Sequence, residues 1–415
     1  MKDLKWLVIS FAIPAFSLIY APISFAELRL TPSITLREEY NDNIFLTPSN
    51  EEDDYITSIH PAVNMTYNIR LLTLSMDYGL NFRFYADHTE RNETSLSKTQ
   101  RARLETTVSP YKDIFFIKVS DEYKRVSIDE RRQITLENAF VNMTDSNNFF
   151  INPYIEYPLS GTLKARTGYR YTNIWYKEKE GNDVENHTGT VDLEKGLSAK
   201  ITTSLSYSYL FYRPKKTEDY DKQDVTLGIT YQINPDLFLA GNIGETWFDY
   251  ERRNDQNFTR ENLQAKYLLT SMITLGAGYS ESFFDSVISG TYKSKSETGT
   301  INYNGRIPLN LTAFHTVKTY TTVDRVDRSS GVTLDSNIPF TITPNISGGV
   351  TGGYSKNKFF PEGEDMKRYR VRLSINYDLK VTTASLGYTF NWTDSDVNSR
   401  DFKNNVLWVQ ARFTI

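Results

Sequence analysis

Apolar and polar residues alternate along most of this chain, from Leu28 to Ile415. Leu72, Leu74, Met76, Tyr78, Leu80, Phe82 and Phe84 are separated by Thr73, Ser75, Asp77, Gly79, Asn81 and Arg83. Side chains of an extended strand point alternately to opposite faces, so this segment has one oily and one wet face. Tyr369, Val371, Leu373, Ile375 and Tyr377 repeat the pattern, with Arg368, Arg370, Arg372, Ser374 and Asn376 between them. Leu163, Ala165, Thr167, Tyr169 and Tyr171 do the same against Lys164, Arg166, Gly168, Arg170 and Thr172. These runs outlast an ordinary strand of about five or six residues. Alternation over about ten residues, ending in Tyr or Phe, is what a membrane-spanning β-strand requires. No stripe at helical spacing competes with it.

Connections alternate between two kinds. Short turns carry Pro, Asn, Gly or Asp, as at Pro110 to Asp113, Pro158 to Gly161, Asn234 to Asp236, Ile307 to Asn310, Thr343 to Asn345 and Asp378-Leu379. Longer charged connections run from Asn41 to Asp54, Asp87 to Ser97, Ile128 to Ser146 and Lys177 to Glu185. Short turns on one side and long loops on the other characterise outer-membrane barrels. An aromatic precedes the short turn at Tyr231, Tyr267, Tyr303, Phe340 and Tyr377, one hairpin apart each time. Glycine-tyrosine pairs follow at Gly168-Tyr169, Gly278-Tyr279, Gly353-Tyr354 and Gly387-Tyr388. A propeller would need four short strands per repeat, where these repeats hold two long ones.

The expectation is an all-β, transmembrane, antiparallel up-and-down β-barrel of about 20 strands (18–22), one domain over residues 27–415. An even number brings both ends to the short-turn side. The last strand puts Leu407, Val409, Ala411, Phe413 and Ile415 on one face and Trp408, Gln410, Arg412 and Thr414 on the other. A chain that ends inside a strand suits a closed barrel, whose last strand pairs with its first. That terminal pattern resembles the signal read by the outer-membrane assembly machinery, although Ile415 stands where an aromatic is usual.

Residues 1–26 read as a signal peptide. Lys2 and Lys5 precede an apolar run from Trp6 to Pro22, and Ser24-Phe25-Ala26 places small residues at −3 and −1 of a cleavage site. Removing Lys2, Asp3 and Lys5 leaves 45 basic and 50 acidic residues, a net −5 that argues against nucleic-acid binding. Mean hydropathy is −0.48, and no long apolar run remains to make a membrane helix. The chain has no cysteine, which excludes disulfide frameworks, zinc ribbons, iron–sulfur clusters and thiol catalysis. An exported chain without cysteine fits a Gram-negative cell envelope.

The first mature segment contains Glu39-Tyr40-Asn41-Asp42-Asn43-Ile44-Phe45 and then Asp54-Tyr55-Ile56-Thr57-Ser58-Ile59-His60-Pro61. Over roughly residues 30–67 it resembles the opening of the β-barrel porin 2 family, whose members are often encoded beside exopolysaccharide or exosortase-type systems. The resemblance implies an outer-membrane barrel and exopolysaccharide export as a cargo, and it carries no catalytic residue. The residues have a physical reading of their own. Tyr40 closes the first strand in an aromatic girdle, Asn41-Asp42-Asn43 supplies loop chemistry, and Asp54 to Pro61 restarts the return strand, a structural rather than a ligand-binding motif.

Candidate chemistry is sparse. His60, His88, His187 and His315 are scattered, and none stands at metal-ligand spacing from another. Glu51-Glu52-Asp53-Asp54 with Asp42 offers hard oxygen ligands for Ca²⁺, against the simpler reading of a solvated loop. No catalytic residue, cofactor or metal is expected. The wet face is basic: Arg83, Arg101, Arg103, Lys118, Lys164, Arg166, Arg170, Lys266, Arg368, Arg370 and Arg372 fall on it, as do Lys124, Lys318 and Arg412. Acids there are fewer, namely Asp77, Glu105, Glu122, Glu156, Asp192 and Glu194. Lys or Arg facing lipid costs about 2–4 kcal/mol at the midplane, so these residues should line the interior. Three functions compete: a porin-like channel for polysaccharide or small anionic solutes, a structural or adhesive barrel with a blocked lumen, and an outer-membrane hydrolase. No stretch reads as a folded plug, although Ile128 to Ser146 is long enough to constrict a pore. Trp175, Trp247, Trp392 and Trp408 read as girdle or rim residues. Expected partners are outer-membrane lipid, lipopolysaccharide and the assembly machinery.

Overall fold

The computed structural model describes residues 27–111, 113–128, 142–321, 323–339 and 345–414. Residues 1–26, read above as a signal peptide, Phe340, Ile415 and most of the 128–146 connection lie outside the described residues. Strands follow in chain order as β1 (Glu27–Asn41), β2 (Asp54–Ile69), β3 (Leu72–Leu80), β4 (Phe82–Tyr85), β5 (Gln100–Tyr111), β6 (Phe115–Ser127) and β7 (Met143–Pro158). They continue as β8 (Leu163–Tyr176), β9 (Val184–Ser198), β10 (Ile201–Pro214), β11 (Tyr220–Asn234), β12 (Leu237–Tyr250), β13 (Gln256–Thr270) and β14 (Ile273–Ser286). The wall ends with β15 (Gly290–Tyr303), β16 (Leu309–Tyr320), β17 (Val326–Pro339), β18 (Ile346–Phe360), β19 (Glu364–Asp378), β20 (Thr382–Ser395) and β21 (Phe402–Thr414).

Apart from β3 and β4, strands pair antiparallel with their sequence neighbours, β3 pairs with β5, and β1 pairs with β21 from Ser33↔Thr414 to Asn41↔Val406, closing the sheet. Both β3 and β4 pair with β2 in one continuous register, interrupted at Asn81. Leu80 stands there opposite Pro61, which has no N–H to give to a ladder. Counted as one stave, they make a closed barrel of 20 strands, within the expected range. Closure leaves no sheet edge along the paired seam.

The apolar face points outward. Ile229, Leu263, Ile301, Val332, Ile375, Leu386 and Val409 are exposed large hydrophobics on β11, β13, β15, β17, β19, β20 and β21. Tyr231, Tyr267, Tyr303 and Tyr377 ring the outside near the short turns, and Tyr207, Tyr169, Tyr354 and Tyr388 form a second outer ring. Eight residues separate Tyr369 from Tyr377, about 26 Å of strand and about 20 Å of height at a tilt of about 40°. That spans an apolar belt of outer-membrane size. In the glycine-tyrosine pairs, tyrosine joins the outer ring and glycine faces inward.

Loop asymmetry is weaker than expected. Connections are long at 42–53 and 86–99, but the loop-end connections at 287–289 and 361–363 have three residues each.

Candidate functional site: the barrel interior

The residues read as a basic wet face share the interior side of the wall, opposite the exposed hydrophobics. Several are neutralised by neighbours. Arg103 pairs with Glu105 at 2.8 Å, Lys124 with Glu122 at 2.6 Å, and Lys164 with Glu156 at 3.2 Å. Arg166 also grips Glu156, and Arg101 stands 3.8 Å from Asp145. Arg370 donates to Asn391 Oδ1 at 3.0 Å, and Arg368 lies against Met366. Arg83 is held in the loop-end ladder opposite Glu93. Others face no carboxylate within ion-pair distance among the described residues: Lys118, Arg170, Lys266 and Arg372.

Interior rings brace these cations. Arg170 and Lys118 lie 4.8 and 5.9 Å from the Phe150 centroid, and Arg166 lies 5.0 Å from that of Tyr154. Tyr154 stacks on Phe116 at 4.9 Å. A cation over an aromatic face gains about 0.5–2 kcal/mol, which holds the side chain against the wall. Further along the wall, on β10 to β13, the surface is different: Ser204, Ser206, Thr226, Asn242, Asn262 and Gln264 line a concave, neutral stretch.

The interior is also narrowed by the chain itself, at a hairpin that the sequence did not single out. The β13–β14 ladder stops at Asn262↔Ser280, and above it the β14–β15 hairpin turns into the barrel. Backbone groups freed by the split find side chains. Glu281 N donates to Asn262 Oδ1 at 3.0 Å, and Lys293 Nζ donates to Thr259 O at 3.0 Å. Glu281 fixes Lys293 at 2.7 Å and Lys295 at 2.8 Å. Buried polar backbone must be satisfied somewhere, and these contacts let the ladder part. The tip turns at Gly290, whose φ of +72° suits a residue without Cβ. It reaches five strands away, where Asn182 N donates to Val287 O at 2.8 Å. Tyr220 and Thr291 hydroxyls meet at 2.9 Å. Phe283 packs on Phe248 at 4.8 Å and on Phe258 at 5.4 Å. Val184, Tyr212, Tyr220, Phe248 and Tyr250, all interior-facing, form the buried cluster beneath it.

The first loop covers the other side. Ile44 is buried with Ile56 and Tyr85, and Phe45 packs beside them. Asn43 holds Thr47 N at 2.9 Å and Lys403 O at 3.0 Å, while Asp42 takes Asn405 N and Nδ2, both at 2.6 Å, across the β1–β21 seam. The Asn-Asp-Asn motif therefore locks the seam and seats the cap. Within the acidic cluster, Asp54 is fully buried and accepts N–H from Ala86, Asp87 and His88 at 2.9, 3.1 and 3.0 Å. His88 bridges Asp54 at 2.8 Å and Glu52 at 2.7 Å. Hydrogen bonds to Glu52 and Asp54 hold the His88 imidazolium above its usual range. These carboxylates are spent on a clamp between two loops, and no group of metal-ligating side chains occurs among the described residues.

His315 Nδ1 meets Ser330 Oγ at 2.7 Å on the outer face, a histidine beside a serine hydroxyl. Both sit in regular strands whose N–H groups are committed to ladders, so no oxyanion donors converge there. Trp175 and Trp247 are exposed outside, and Trp392 stacks on outer Tyr369 at 4.7 Å. Trp408 departs from the girdle reading: it is interior and buried, with Arg37 and Arg372 over its ring.

No family model and no curated protein sequence matches the chain. Among solved structures, the FrpB iron transporter from Neisseria meningitidis (F5-1 variant) is similar over 93% of this chain and 82% of its own, with TM-score 0.53 and 8% identity. The siderophore receptor PirA from Pseudomonas aeruginosa matches over 93% and 80%, with TM-score 0.52 and 11% identity. A BenF-like porin from Pseudomonas fluorescens Pf-5 covers 93% and 99%, with TM-score 0.43 and 12% identity. At such identity the first two likenesses establish the architecture, a large outer-membrane barrel. With its outward apolar belt, this chain belongs in the bacterial outer membrane.

Proposed function

We propose that the protein is a passive outer-membrane channel for small anionic solutes, exported by residues 1–26 and lined by the eleven basic residues named above. The supporting observation is the make-up of the wet face named above, where basic residues outnumber acids. Glu105, Glu122 and Glu156 are engaged by cations; Lys118, Arg170, Lys266 and Arg372 have no carboxylate, and Asp77, Asp192 and Glu194 no cation, within ion-pair distance among the described residues. Acids in the loops act through a Debye length of about 8 Å and are screened, whereas interior cations act on the permeating ion at close range. The likeness of residues 30–67 to exopolysaccharide-associated barrels extends the cargo to an extended acidic polysaccharide strand. A hydrolase is disfavoured by the lack of convergent oxyanion donors at His315 and Ser330.

Reversal potentials in a KCl gradient across planar bilayers test the reading. Anion preference is expected, shifting toward neutrality when Lys118, Arg170 and Arg372 become Gln. A cation-selective wild type sinks it.

A further inference from the structure

Burial changes step by step along the interior face of β21. Phe402, Asn404, Val406 and Trp408 are buried, Gln410 is half-buried and Arg412 is exposed. Trp408 therefore forms the floor of the packed cap, next to the open interior. Its indole lies across Gly387, where a Cβ would come 2.1 Å from Cζ2 and 2.4 Å from Cε2. Arg37 and Arg372 bring their guanidinium carbons within 4.7 and 5.0 Å of the ring centroid. Glu39 neutralises Arg37 at 2.7 Å. Arg372 has no such partner among the described residues.

Two further groups beside it are unspent. Trp408 Nε1 and Thr389 Oγ1 are buried and meet no hydrogen-bond partner, in residues only 4% and 3% exposed. Register brings them together: Arg372 stands opposite Thr389 on β20, and Trp408 opposite Gly387, one step along the same face. A buried donor left without an acceptor is costly. Here an indole N–H, a hydroxyl and a guanidinium without a carboxylate partner among the described residues share one patch of the interior face, and Glu39, opposite Trp408 on β1, is already committed to Arg37.

We propose that Arg372, Thr389 and Trp408 form a subsite for the carboxylate of a monoanionic solute, resting on the reading that solutes enter the interior. One free cation matches one negative charge. Arg372 swings its flexible stem off the indole and offers its planar fork to the two oxygens. Trp408 Nε1–H and the Thr389 hydroxyl then fix the orientation of the bound group.

The test uses the folded barrel in detergent, with Trp175, Trp247 and Trp392 replaced by Phe so that Trp408 alone emits within residues 27–415. Glucuronate is titrated at constant ionic strength, with glucose as the neutral control. A saturable change in Trp408 emission with glucuronate and none with glucose is expected. Affinity should fall at least tenfold in Arg372→Gln and in Thr389→Val, and recover in part in Arg372→Lys. Heat-modifiable gel mobility verifies that each variant is folded, and titration calorimetry on the unmodified barrel makes the same comparison if the Trp-reduced barrel does not assemble. Equal responses to the two sugars, no response to either, or affinity unchanged in both variants overturns the subsite. Binding is read without conduction, so a conducting barrel with a silent Trp408 refutes only the subsite. A barrel that binds but does not conduct refutes only the channel.

Discussion

Phe283→Ala should loosen the inward hairpin and raise the current through the pore. Phe283 is half-buried and packs on Phe248 and Phe258, with Lys222 Nζ 5.9 Å from its ring. Truncating a fully buried Phe costs about 3–5 kcal/mol, so a half-buried one should lose about 2 kcal/mol. The remaining anchors include the Tyr220–Thr291, Asn182–Val287, Lys293–Thr259 and Arg325–Ser289 hydrogen bonds, each worth about 1 kcal/mol net. Since 1.4 kcal/mol is tenfold, the docked-to-undocked ratio should fall about thirtyfold. Single-channel recordings in KCl then show a mostly steady level for the wild type and frequent excursions to higher conductance for the variant. Phe284→Ala is the control, because that side chain is exposed on the other face of the same strand. If Phe283→Ala lowers resistance to urea while mean conductance and noise stay at wild-type values, the hairpin does not restrict the pore.

Two further outcomes follow from local packing and protonation. Gly387→Ala places a methyl group within 2.1 Å of the Trp408 ring, and the overpacking should cost about 1–3 kcal/mol in urea unfolding of the refolded barrel; an unchanged midpoint contradicts the berth described for the indole. His88 is held charged between Glu52 and Asp54, and its raised pKa means that the clamp contributes fully below about pH 6.5. That contribution is lost as pH rises through the raised value, so protease cleavage in loops 42–53 and 86–99 should accelerate at alkaline pH, and His88→Gln should abolish the dependence.

The wall was legible because a barrel strand has one physical requirement, lipid on one side and water on the other, and that requirement writes a period of two. Tyr231, Tyr267, Tyr303 and Tyr377 also announced the girdle, since each must stop at the same membrane boundary. Register of interior arginines followed automatically: Arg368, Arg370 and Arg372 could not share a face with Val371 and Leu373. What alternation cannot express is where a ladder ends. The split above Asn262 depends on one amide oxygen taking the place of a backbone carbonyl, and on Lys293 reaching Thr259 O. Neither residue is unusual in a strand.

A signal for both inward covers was nevertheless present, in the positions that break the rule. Tyr212, Tyr220, Phe248, Tyr250 and Phe258 fall on the wet face near the loop end, as do Ile56 and Tyr85. No lipid can bury them there, and about 25 cal/mol per Å² of apolar surface favours a cover supplied by the chain. Adjacent Phe283 and Phe284 make the matching statement from the other side, because a strand apolar on both faces in a one-sided barrel must have left the lipid interface. The acids of the first loop follow the same logic. Asp54, buried without a cation of fixed charge, had to be surrounded by N–H donors, and the 86–88 turn supplies them. An interior cap was therefore encoded as a set of exceptions to alternation, and reading those exceptions as demands for burial places the narrowing at the loop end of the barrel.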